Sequence, residues 1–145
     1  MAILTDYMER KLLDHAFGQA EFSTPSALYL GVSTTAFADS DNGTTASAKE
    51  PSSSNAYARQ RLDNVIALYL SDFDIRNNAS IDFPTVTNNN WGNVQYWGIF
   101  DGTASSANML MHGSFSSGTT VNVGDQFRIS SQDFEITFPA RIGGD

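Results

Sequence analysis

Chemistry in this chain would have to come from two histidines, a few closely spaced carboxylates and a set of aromatic rings. An imidazole does acid–base or metal work when a carboxylate or hydroxyl sits beside it. His15 falls in the last turn of a predicted helix, where an imidazolium favours the negative end of the dipole. His112 lies inside an alternating run between Met111 and Gly113, and neither histidine has a carboxylate or serine at a catalytic spacing. Paired acids are the machinery of glycoside hydrolysis. Asp72 and Asp74 fall in a turn region, however, while Asp133 and Glu135 alternate on the outward face of a predicted strand, where acids discourage edge pairing.

Residues 39–50 echo a calcium loop, with Asp39, Asp41 and, in the twelfth position, Glu50. The echo fails where it matters. Gly43 offers no side-chain oxygen at position five, Thr44 replaces the glycine needed at position six, and no helices flank the segment. It reads as a flexible acidic loop, with ion binding left open. Tyr57, Trp91, Tyr96 and Trp97 suit stacking on sugar faces, but rings in a small β domain also build cores and interfaces. A phosphate loop, a nucleophile elbow and a triad are all missing, and with no cysteine there is no thiol catalysis, disulfide or cysteine-based metal site. The expectation is a protein that is not an enzyme and uses no cofactor or metal.

The elements around these residues are mainly β. One helix is expected at residues 5–17, with Leu4, Tyr7, Met8, Leu12, Leu13, Ala16 and Phe17 forming an apolar stripe. Thr5 is its expected N-cap, Asp6 and Glu9 favour its positive end, and Gly18 stops it. Such a helix either covers an open side of its own sheet or docks on a neighbouring subunit. Residues 27–33 alternate as a first strand. A Ser/Thr/Asp/Asn-rich stretch follows at 34–55, and a loop of that length is usually functional or flexible. Further strands are expected at 57–62, 65–70 and 80–83, the last ending at Pro84, and an Asn88-Asn89-Asn90 turn leads into Trp91-Gly92. The runs NVQYWGIF, ANMLMHGSF, TTVNVG, DQFRIS and DFEITF then complete a β region spanning 57–138, with a tail at 139–145.

Short, even spacing predicts an antiparallel β-sandwich or small barrel of about eight strands with one amino-terminal amphipathic helix. A chain of 145 residues, 41% hydrophobic, reads as a single domain, 1–145. Its formal charge of −8 would be repelled by phosphate backbones, so no nucleic-acid partner is expected. No stretch approaches the ~20 apolar residues of a membrane span, and the charged amino terminus does not read as a signal peptide. Synthesis in a cytoplasm, without a membrane partner, is the expectation. Arg59 reads as a structural arginine paired with Asp63 or Asp101.

Three stretches carry a resemblance. They are LLDHAFG leading to LYLGVSTTAFAD (residues 12–39), then YARQ (57–60), and IDFPTVTNNNWGNVQYWGIFD (81–101) followed by MLMHGSF and TTVNVGDQFRI. In this order they resemble a family of small tailed-bacteriophage virion proteins of the tail-fibre or minor structural type. The YAR, W-G-x-V and G-I-F-D elements are the most specific. The chain departs from that pattern at Thr85-Val86, where a small residue is expected. It also has Ser52-Ser53-Ser54-Asn55 in place of a glycine-rich run before YAR.

The resemblance implies a β-rich component of the virion that packs against copies of itself and other virion proteins, with no catalytic residues. Tail or tail-fibre attachment is the leading reading. A capsid decoration protein and a glycan- or receptor-binding module are the alternatives. Helix residues Tyr7, Met8 and Lys11 and loop residues Asp39, Asp41 and Glu50 are the expected interface.

Overall fold

The computed structural model describes residues 2–69 and 74–137. Leu70, Asp72, Phe138 and the tail 139–145 lie outside the described residues. The fold is mainly β, with antiparallel sheets that do not close into a barrel. β1 (Ile3–Leu4) leads directly into α1 (Asp6–Ala16). β2 (Tyr29–Ser33), a short α2 (Gly43–Ser47) and β3 (Gln60–Arg61) follow. Next come β4 (Ile66–Tyr69), β5 (Asp74–Asn77), β6 (Ile81–Thr85) and β7 (Gly92–Phe100). β8 (Met109–Val121), β9 (Gln126–Ile129) and β10 (Glu135–Thr137) end the described chain.

One sheet has the order β1-β8-β7-β2-β3, a second β10-β5-β4, and β6 pairs with β9. The large sheet lays one face on the two smaller ones. Leu30, Val32, Trp97, Ile99, Phe83, Phe127, Phe134 and Ile136 from these sheets and their connections join one buried cluster. Burying side chains of this size is the main source of stability, at roughly 25 cal/mol per Å2 of apolar surface. Edge-to-face rings knit it together, with Trp97 and Phe134 centred 5.1 Å apart and Tyr57 and Trp91 5.3 Å apart.

Several expectations need correction. The runs at 107–115 and 119–124 are not two strands; one strand, β8, extends through both, because a bulge absorbs the intervening residues. From Ser114 to Thr119 β8 runs past only Tyr96 to Val94 of β7, and Phe115 reaches the core rings Phe127 and Phe134. Pro84 does not end its strand either, since the β6–β9 register shifts between Asp82 and Thr85, and a bulge needs no donor there. Asp74 is not in a turn: it opens β5, is 2% exposed, and holds Arg76 at 2.6 Å.

The stretch 34–55 is not a loose loop. Asn42 caps α2 in a reciprocal capping box with Thr45, and a 3-10 turn forms at Ser53–Asn55. Phe37 and Ala46 bury against Phe100 and Met109, with Tyr96 packed alongside. The loop therefore covers the face of β7 opposite the main core. This explains why the last four residues of β7 are all buried rather than alternating.

Candidate functional site

Two features stand out, an amino-terminal arm and the clamp that fixes the long loop. The arm is bolted at its base. Thr5 is fully buried; its hydroxyl donates to the Met109 carbonyl at 2.7 Å and accepts from the Met8 N–H at 3.3 Å, so the N-cap also ties α1 to β8. The Asp6 N–H donates to the Asp39 carbonyl at 3.0 Å, joining the helix to the loop. His15 Nδ1 accepts the Phe22 N–H at 3.2 Å and folds the following segment back on the helix end.

Beyond that base, no residue of α1 is buried. Tyr7, Met8, Lys11 and Asp14 are half-buried and form the inner side. Part of the apolar stripe points away from the molecule: Leu12 is 41%, Leu13 58% and Phe17 74% exposed, and Ile3 of β1 is 43% exposed. The exposed large hydrophobics gather on this arm, leaving Val123 as the other one among the described residues. Large exposed apolar side chains grouped on one element are uncommon on the surface of a monomer.

Charge is also distributed unevenly. Among the described residues, Lys49, Arg59, Arg61, Arg76 and Arg128 are each paired with a carboxylate. Arg10 and Lys11 of α1 form no ion pair among the described residues, although the Lys11 ammonium lies 5.7 Å above the Tyr7 ring. Among the described residues of this chain of charge −8, the cations without an ion pair are those of the arm.

The clamp centres on Arg59. Its Nη2 meets Glu50 Oε2 at 2.6 Å, and its Nε lies 3.0 and 3.1 Å from the two Glu50 oxygens. Nη1 donates to the carbonyls of Gly102 and Ala104, while the guanidinium stacks 3.5 Å over the Phe100 ring. Both side chains are 3% exposed. Tyr57 donates its hydroxyl to Glu50 and accepts the Val32 N–H at 2.9 Å. Burial, and then the Glu50 charge, push the Tyr57 phenol well above its ordinary value. A groove of about 520 Å3 runs over this clamp, and its lining includes Ser47, Ser52, Ser53, Thr103 and Ser105.

The expected site residues therefore divide. Glu50 is not on the surface, because Arg59 and Tyr57 hold it inside. Arg59 is not paired with Asp63 or Asp101: Asp63 takes Arg61 and the Leu28 N–H, and Asp101 takes Asn108. Asp41 binds Lys49 at 2.6 Å and the Ala38 N–H. Burial pushes the Asp41 carboxyl up, but Lys49 and that N–H outweigh it and hold it below its usual range. Asp39 stays 55% exposed, with its Oδ1 2.8 Å from His112 Nε2.

The three acids of the calcium-like stretch thus serve three different partners and do not converge. Tyr57, Trp91 and Trp97 are core rings, and Tyr96 is half-buried. They form no exposed stacking face. Ile3, Leu12, Leu13 and Phe17 were missed as surface residues, although three of them lie on the helical stripe visible in the sequence.

No curated protein matches the chain at a significant level. One family does match, described as Podophage GP4 fiber I protein gp80, and the match covers residues 3–137, from β1 through β10. It takes in both the arm and the clamp. The chain belongs to this bacteriophage tail-fibre family, and its role is that of a structural protein of the phage virion.

Proposed function

We propose that the chain is a non-enzymatic building block of the tail or tail-fibre region of a tailed phage, acting through oligomeric protein–protein contacts. It is made in the host cytoplasm and enters the particle by docking on copies of itself and on other virion proteins. A single unit spanning 1–145 presents the contact surfaces.

The observation that carries this reading is the arm, an apolar helix face left in solvent by a chain of a fibre family. Of the expected contact residues, Asp39 keeps its exposure, and Tyr7, Met8 and Lys11 flank the patch. Asp41 and Glu50 support it indirectly by holding the loop on which Asp39 sits. Tyr57, Glu50 and Arg59 are fully engaged with one another, which argues for scaffolding over catalysis at the clamp.

Fractionating purified particles into heads and tails, followed by quantitative mass spectrometry, tests the placement. The expected result is co-purification with tails at a few to a few dozen copies per particle. Recovery with heads at hundreds of copies would support capsid decoration and remove the tail reading.

A further inference from the structure

We propose that the groove over the Glu50–Arg59 clamp is a binding site for a small neutral saccharide. The inference goes beyond the structural role proposed above and does not depend on the arm. One wall is the loop segment 47–53, and the other is the connection between β7 and β8, with Thr103 and Ser105. The walls are braced at two points. Arg59 holds Glu50 of the loop wall on one side and the Gly102 and Ala104 carbonyls of the opposite wall on the other. Gly43, at the start of α2, lies so close to residues 105–107 that a Cβ there would stand 2.2 Å from the Ala107 carbonyl oxygen. A cleft braced in this way is formed before a ligand arrives, so binding does not have to order it.

The lining selects the chemistry of the ligand. Glu50 and Arg59 are the ionised side chains of the lining, and they neutralise each other at its floor, each 3% exposed. No charge is left over for a phosphate, a carboxylate or an amine, and an anion would also be repelled by a chain of charge −8. The aliphatic lining is small, Ala48, Pro51 and Ala58, and gives a purely apolar ligand little to bury against. Hydroxyls remain. Ser47 and Ser52 use theirs within the loop, on the Gly43 carbonyl and on Ser54. Those of Ser53 on one wall and of Thr103 and Ser105 on the other take no partner within the chain among the described residues. Each can both donate and accept. A sugar ring presents the matching set, with hydroxyls around its rim and short C–H surfaces on its faces, and about 520 Å3 is the size of a small-ligand cleft.

Without an exposed aromatic platform the affinity is low, and the expected dissociation constant is about 1–10 mM. Heteronuclear NMR titration of the isotope-labelled full chain reads it, with glucose, galactose, mannose, rhamnose and N-acetylglucosamine each raised to about 100 mM. The expected result is a saturable shift of the Ser53, Thr103 and Ser105 amides with at least one of these sugars. Ser105→Tyr sets a ring over the groove from an exposed position, and should remove the shift while leaving the thermal midpoint unchanged. Thr103→Ala and Ser105→Ala should each weaken binding about two- to tenfold.

Glucosamine and glucuronate carry a charge on the same kind of ring, and should bind no better than the neutral sugars. The proposal is overturned if none of the neutral sugars gives a saturable shift, or if the shift persists in Ser105→Tyr. Tighter binding of glucosamine or glucuronate than of every neutral sugar overturns it as well. None of these outcomes bears on the structural role, which the fractionation of particles tests separately.

Discussion

At the scale of residues, the molecule depends most on a buried charge pair. Glu50 and Arg59 are both taken out of water, and the arrangement is tolerable because every oxygen and most guanidinium donors are used. Breaking one partner leaves the other charged and alone. Glu50→Gln should cost about 3–5 kcal/mol of folding stability, read by urea denaturation, whereas an exposed acid such as Asp133 should cost well under 1 kcal/mol. Tyr57 adds a pH dependence with a definite sign. Its folded phenol holds its proton above the ordinary value of about 10, so the unfolded chain releases it first. Stability from this group is intact below about pH 10 and lost as the pH rises further. Tyr57→Phe should flatten that alkaline loss. The YAR arginine was legible as structural, but its partner was not, since linear sequence does not show that the loop brings Glu50 back beside Arg59.

Elements were legible where their signals are local. Thr5 as N-cap and the extent of α1 follow from short-range chemistry, and both hold in the structure. Its orientation does not follow, because a 3.6-residue period shows that one face is apolar without saying what covers it. Here the half-buried inner side carries Tyr7, Met8, Lys11 and Asp14, while Leu12, Leu13 and Phe17 face out. Because Thr5 both caps the helix and bonds to β8, Thr5→Ala should cost about 1–2 kcal/mol, with loss of helical circular dichroism preceding loss of the sheet. The 34–55 stretch illustrates the opposite failure. Its composition is that of a loose loop, yet Phe37 and Ala46 anchor it to Phe100 and Met109, a long-range packing that composition does not encode. Gly31 shows how close the fit is, as a Cβ there would collide with Glu50 and with the Phe100 ring.

At the scale of the whole molecule, the sandwich is a rigid frame that fixes the arm relative to the loop. The alternation of residues 93–138 made the sheet class readable. The bulge in β8, the pairing of β1 with β8 and the separation into three sheets were not readable, since each depends on partners distant in sequence. Trp97 belongs to the frame: Trp97→Ala should cost about 3–5 kcal/mol through the cavity left beside Phe134, without a change specific to binding. Removing residues 1–18 would test the arm badly, because Ala2 and Thr5 are buried and β1 is paired with β8. Surface substitutions avoid that difficulty. The most direct measurement is incorporation of the Leu13→Glu/Phe17→Glu protein into particles, by quantitative immunoblot against wild type, in a phage lacking its own copy. With an unchanged thermal midpoint, incorporation should fall at least about tenfold. Incorporation at the wild-type level by this stable, doubly charged variant would contradict the account.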